Sequence, residues 1–201
     1  MNGSIFSRAE ETKKNKIIMT CLRIVDKHGI KGLTVARIAK EVGFAESALY
    51  RHFKSKKEII ELILDESLTM AQAQYKAIKK AGRDPRQQLR QLLRIYLEFL
   101  EAYPGMYRIL FSDEIHLGES HLLDKLIHII NELLTALEEI VVQGKKSGAF
   151  KKTIDVSMTS IHFLGIIQTA FTIWSLKANR ETSLVLAGDR MLNQLFTGIE
   201  A

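Results

Sequence analysis

Between residues 34 and 57 the chain reads TVARIAKEVGFAESALYRHFKSKK, a stretch dense in phenol, guanidinium, ammonium and hydroxyl groups. Wound as a helix at about 100° per residue, Ala45, Leu49, His52 and Phe53 gather on one side, and Ser47, Tyr50, Arg51 and Lys54 on the other. The first group suits a core. The second is a row of donors of the kind that contact phosphate oxygens and base edges, so the chemistry they could do is nucleic-acid recognition.

Those side chains need a scaffold, and the surrounding pattern supplies one. Thr34 precedes Val35, Ile38, Ala39 and Val42, and its hydroxyl can accept a hydrogen bond from a free amide of a helix's first turn. Gly43 ends that helix, and a third short helix is expected from about 45 to 53 after a turn of two or three residues. Ser55 with Glu58 forms a capping box that opens a longer helix, with Ile59, Leu62, Ile63, Ser67 and Met70 as its periodic face and an end near residues 79 to 84. Upstream, Ile17, Cys21, Leu22, Ile24 and Val25 make an apolar stripe that stops at His28-Gly29, and Ser7 with Glu10 offers a capping box. Two short helices joined by a tight glycine-bearing turn make a helix-turn-helix, whose second helix fits the major groove.

The rest of the chain is also helical in pattern. Asp84-Pro85 is a helix start, and Leu89, Leu92, Leu93, Tyr96, Leu97 and Leu100 follow at helical spacing until Tyr103-Pro104 breaks the run. MYRILF reads as a short helix, 121 to 146 as a long one, and 155 to 177 and 183 to 198 as two more. No alternating apolar and polar runs bounded by turn residues support strands. The expected fold is all-α: a three-helix head over residues 8–60, linked to a larger helical body over 61–201.

Charge divides the same way. Of 29 Lys and Arg and 23 Asp and Glu, residues 1 to 60 hold 13 basic against 6 acidic, and the remainder 16 against 17. A basic unit on a neutral body is the electrostatic footprint of a nucleic-acid-binding head. Cys21 is the lone cysteine, so no internal disulfide forms and a reducing, cytoplasmic compartment is expected. The first twenty residues lack the apolar block of a secretory signal. Residues 156 to 176 contain no Asp, Glu, Lys or Arg and are long enough to span a bilayer, but Ser157, Thr159, Ser160, His162, Gln168, Thr169, Thr172 and Ser175 interrupt them, so a helix buried in protein is expected instead.

Residues 10 to 60 resemble the DNA-binding head of the tetracycline-repressor (TetR) family of bacterial transcriptional regulators. The resemblance rests on GIKGLTVARIAKEVGFAESALYRHFKSKKEI, with Thr34, the Ile-Ala pair, the Val-Gly turn and the string Leu49, Tyr50, His52, Phe53, Lys56 in register. It implies that Thr34, Val35 and Ala36 open the supporting helix against the DNA backbone, and that Glu46, Ser47 and Ala48 lie nearest base edges. Tyr50 and Lys56 would hold phosphates, with Arg51, His52 and Lys54 on the same DNA-binding segment. Two residues depart from the family pattern: Ala45 stands where a capping Ser or Thr is usual, and Glu46 brings a carboxylate to the groove. Glu46 could accept from cytosine N4 or turn away from phosphate.

The resemblance further implies a body that binds a small molecule and pairs through its last two helices, giving a homodimer on a roughly palindromic duplex operator, most often as a repressor. An uncharged helix followed by another apolar-faced helix needs cover on more than one side, which a two-fold seam would supply. Candidate effector-lining residues are Tyr96, Phe99, Tyr103, Met106, Tyr107, Phe111, Phe163, Phe171 and Trp174, with His162 and Gln168 as polar anchors. They suit an apolar or aromatic effector. His121, Asp124, His128 and Glu132 share a helical stripe, but its continuation through Thr135 and Glu139 reads as the polar back of an amphipathic helix; His116 and Glu114 read as loop. No metal, cofactor or catalytic residue is expected, since no nucleophile elbow, phosphate loop or paired cysteines occur.

Overall fold

A computed structural model describes residues 13–51, 53–113, 115, 120–176 and 182–201. Among them the regular elements are α1 Lys13–His28, α2 Val35–Val42, α3 Glu46–Tyr50, α4 Lys56–Lys80, α5 Pro85–Ala102, α6 Gly105–Leu110, α7 Ser120–Ser147, α8 Val156–Leu176 and α9 Leu184–Ile199. The fold is all-α; an isolated antiparallel bridge joins Phe150 to Glu200. The expected capping box at Ser7 and Glu10, and His52, Glu114 and His116, lie outside the described residues.

Helix ends follow local chemistry. Thr34 Oγ1 accepts from Arg37 N at 3.2 Å, a cap of the kind whose loss costs about 1 kcal/mol. Gly43 closes α2 at φ 81°, a left-handed conformation that a side chain resists. Asp84 Oδ1 accepts from Arg86 N at 2.9 Å and from Gln87 N at 3.2 Å at the head of α5. Asp155 Oδ1 accepts from Met158 N at 2.7 Å, and Ser183 Oγ from Leu186 N at 3.4 Å, opening α8 and α9.

The chain packs as two compact units. The first comprises Met1–Ser67 and Ala102–Ile127. Its core joins Cys21, Leu22, Ile24 and Val25 of α1 to Ile38 and Val42 of α2, Leu49 of α3, and Ile59, Ile60, Ile63 and Leu64 of α4. Helix α6 lies hard against α1, because Gly105 has no side chain to hold it off the Leu22 carbonyl. Arg108 Nε faces Asp26 Oδ1 at 3.5 Å across the same contact. Helix α6 therefore packs with the head, a relation that the periodicity of either segment does not encode.

The second unit comprises Leu68–Glu101 and His128–Ala201. Leu89, Leu92, Leu93 and Leu97 of α5, Leu184, Leu192 and Phe196 of α9, and Ile140, Val141, Phe150 and Phe163 are all buried in its apolar centre. Gly188 admits Leu97 to the face of α9, and Gly144 admits the Phe150 ring to α7. Arg90 bonds Asp189, reaches Asn193 Oδ1 at 2.7 Å and lies 5.5 Å from the Phe196 ring centroid, tying α5 to α9.

Candidate nucleic-acid interface

Helix α3 is five residues long, too short to persist alone in water, so its position depends on tertiary anchoring. Leu49, 1% exposed, supplies the anchor. Next along the chain, Tyr50 is 52% exposed, because one residue turns the helix by more than a right angle. Glu46, Ser47, Arg51 and Lys54 are exposed, and Ala48 and Phe53 half-buried. The helix is shorter than expected: Ala45 is an exposed N-cap with no side-chain cap bond, and Tyr50 is the last helical residue. Glu46 sits in the first turn, where the helix dipole favours a carboxylate.

The flanking elements frame this face. Thr34 and Ala36 are exposed, whereas the Val35 side chain is buried, leaving its backbone amide as the group available at the open end of α2. Lys56, half-buried, is the first residue of α4. The start of α4 is capped reciprocally: Ser55 Oγ accepts from Glu58 N at 3.3 Å, and Glu58 Oε2 accepts from Lys54 N at 2.8 Å. Two polar braces were not legible in the pattern. Lys16 Nζ donates to the Val42 carbonyl at 3.2 Å, and Arg37 Nη1 to the Gly32 carbonyl at 2.9 Å. Each joins residues that are neighbours only after folding.

The aromatic set divides between the units. Tyr103, Met106, Tyr107 and Phe111 belong to the first, where the rings of Tyr107 and Phe111 lie 4.4 Å apart. Tyr96, Phe99, His162, Phe163, Gln168, Phe171 and Trp174 belong to the second. Phe163, Phe171 and Trp174 are buried, with Phe171 and Trp174 5.7 Å apart. Tyr96 is half-buried, and burial pushes its phenol up to about 12. His162 and Gln168 are exposed.

The long helix α7 uses its polar stripe against α4. In the first unit His121 pairs with Glu61, and Lys125 Nζ meets Asp65 Oδ1 at 2.6 Å. In the second, Glu132 accepts from Gln72 Nε2 at 2.8 Å, and Glu139 accepts from Tyr75 at 2.6 Å and Lys79 at 2.7 Å. Glu139 is held below the ordinary carboxylate range by those two donors, Lys79 first. The stripe is thus a row of helix-pairing contacts as well as a wetted surface. Among the described residues no group of three His, Cys, Asp or Glu is placed to hold a metal.

Helix α8 meets the length and composition of a membrane span, and part of it is uncovered by its own chain. Met158, Ile161, Ile173 and Leu176 are exposed on it, Leu176 at 81%, and Leu186 is exposed on α9. Gly165, in the middle of α8, has no atom within 4 Å of where a Cβ would stand.

Residues 17–63 match the family described as bacterial regulatory proteins, tetR family, and residues 82–174 match the tetracyclin repressor-like C-terminal domain. The nucleoid occlusion factor SlmA of Vibrio cholerae is 24% identical over 157 residues, 78% of this chain and 80% of SlmA. FadR from Bacillus subtilis, solved in complex with stearoyl-CoA, superposes with a TM-score of 0.73 at 24% identity, covering 94% of this chain and 100% of that one. AibR, solved with isovaleryl coenzyme A and operator DNA, does so with a TM-score of 0.72 at 18% identity, covering 92% and 98%. The chain belongs to the TetR family and is a DNA-binding transcriptional regulator.

Proposed function

We propose that the protein is a cytoplasmic, homodimeric repressor that grips a palindromic operator and is released by a small apolar effector. Residues 8–60 act as the reading head and 61–201 as the sensing and pairing body. The observation that carries this reading is the outward group Glu46, Ser47 and Tyr50 on α3, continued by the exposed Arg51 and Lys54 just past its end, with the other side of the helix anchored by the buried Leu49. Glu46, Ser47 and Ala48 are assigned to base edges. Tyr50 and Lys56 are assigned to the backbone, with Arg51, His52 and Lys54 on the same DNA-binding segment and Thr34, Val35 and Ala36 presenting the amide end of α2.

Pairing is supported by the uncovered apolar face of α8 and by Gly165, since a glycine inside a helix costs about 1 kcal/mol relative to alanine and nothing in its own chain requires it. A second copy approaching closely there would. Two-fold pairing would set two heads about one DNA turn, ~34 Å, apart, which calls for a palindrome.

The effector reading rests on the buried rings Phe163, Phe171 and Trp174, in the same unit as Tyr96 and Phe99, with His162 and Gln168 of that unit as the proposed polar anchors. The stearoyl-CoA and isovaleryl coenzyme A in the structures of FadR and AibR favour an acyl-CoA as the effector class, the apolar part being its acyl chain and the coenzyme A part polar and anionic. Such a ligand shifts the dimer away from the DNA-competent state by the difference between its affinities for the two states.

Selection from random duplex DNA followed by sequencing tests the reading directly. A palindrome is expected, and its retention should fall when acyl-CoAs of graded chain length are added. Enrichment of no duplex would refute the head's assignment; an enriched palindrome insensitive to every acyl-CoA would refute the effector class alone.

A further inference from the structure

Beyond the recognition helix the head carries a second group of cations, at the junction of α1 and α2. Lys27 lies in the last turn of α1, and Lys31 in the 3-10 turn Ile30–Gly32 that follows; both are exposed. Arg23, one turn before Lys27 and also exposed, hydrogen-bonds Thr20 Oγ1 at 3.0 Å through Nη2. Gly29, at φ 66°, redirects the chain out of α1. Arg37 Nη1 then fastens the 3-10 turn to α2 through the Gly32 carbonyl at 2.9 Å. Lys31 therefore lies in a turn fastened to α2, three residues before the cap Thr34. Among the described residues no carboxylate pairs with Lys27 or Lys31, and the adjacent Asp26 faces Arg108 instead.

A lysine in a helix's last turn is ordinarily accounted for by the helix dipole. That covers Lys27. It does not cover Lys31, which lies beyond the helix end, or Arg23, a full turn inside it. We propose that Arg23, Lys27 and Lys31 form a phosphate rail that extends the DNA interface past the helix-turn-helix onto the flanking duplex. This rests on the reading of the head as the duplex-binding unit. The occupant follows from charge complementarity and from continuity with the amide end of α2, where the backbone is already expected. Ammonium groups are point charges without a planar pair of donors, so Lys27 and Lys31 neutralise phosphates without reading bases.

Each phosphate neutralised on duplex DNA releases counterions and steepens the salt dependence of binding by about 0.9 in log–log slope. The experiment uses a duplex enriched by the wild-type protein, extended by random flanks, with affinity measured across a salt series. Because the proposed dimer carries each substitution twice, Lys27→Gln/Lys31→Gln should lower the slope by about 3.6 while enriching the same sequence, and Lys27→Arg/Lys31→Arg should keep the wild-type slope. Trimming the random flanks should erase the difference between the Gln variant and wild type. Lys31→Gln alone, outside α1 and α2, tests the rail without disturbing α1 and should lower the slope of the dimer by about 1.8. A wild-type slope in a normally melting Lys31→Gln protein would overturn the rail and leave the head's assignment standing. A wild-type protein that binds no duplex would overturn both.

Discussion

Gly105 at the start of α6 lies so close to the backbone carbonyl of Leu22 in α1 that a Cβ there would collide with it, and would stand 3.0 Å from Asp26 N as well. Both obstacles are main chain, which cannot rotate aside as a side chain would. Gly105→Ala is expected to lower stability by about 1–3 kcal/mol, the usual cost of overpacking, read as a lower thermal midpoint. An unchanged midpoint would mean that α6 and α1 are not pressed together.

Tyr50 and Lys56 are assigned to phosphates, and Ser47 and Glu46 to bases, so their variants should differ in kind. Tyr50→Phe and Lys56→Ala should weaken every duplex alike, Lys56→Ala also flattening the salt slope by about 1.8, since both protomers carry the change. Ser47→Ala or Glu46→Gln should instead change which sequence is enriched, with about 1–3 kcal/mol of discrimination lost at a single position for a well-paired contact. Equal losses on all sequences from all four variants would contradict this division of roles.

Gly165 has open space around it within its own chain, so Gly165→Leu should fold normally and even gain helix propensity. If α8 crosses its symmetry mate there, the same change should weaken self-association at least about tenfold, or ~1.4 kcal/mol, by sedimentation analysis. Unaltered association would place the seam elsewhere.

Cys21 is fully buried in α1, and its thiol is pushed up to about 12, chiefly by burial. Because the folded value lies above that of an ordinary thiol, the neutral thiol's contribution to stability is complete below the ordinary value and is lost as pH rises through the folded one. Near pH ~8 an alkylating reagent should reach Cys21 only when the head opens, so labelling should accelerate with denaturant in step with unfolding. Rapid labelling of the native protein would show that the α1 core is not closed.

Much of this architecture was legible before any coordinates, because the signals are local. Thr34, Gly43, Ser55 with Glu58 and Asp84-Pro85 each act on amides or torsions within four residues, so a short window contains both partners of every interaction. The outward row on α3 was legible for the same reason: helical spacing alone sorts Leu49 from Tyr50. Its brevity was not, since a five-residue helix survives only through the packing of Leu49.

What tertiary structure decided involves groups far apart in the chain. Arg90 finds Asp189 and Asn193, Phe150 bridges to Glu200 and seats its ring on Gly144, and Gly105 comes to rest on Leu22. A glycine that is required because another backbone passes over it looks, in sequence, like any other glycine. Which glycines admit a neighbour and which stand open, as Gly165 does, depends on distances between helices, and these exist only once the side chains of several helices have packed together.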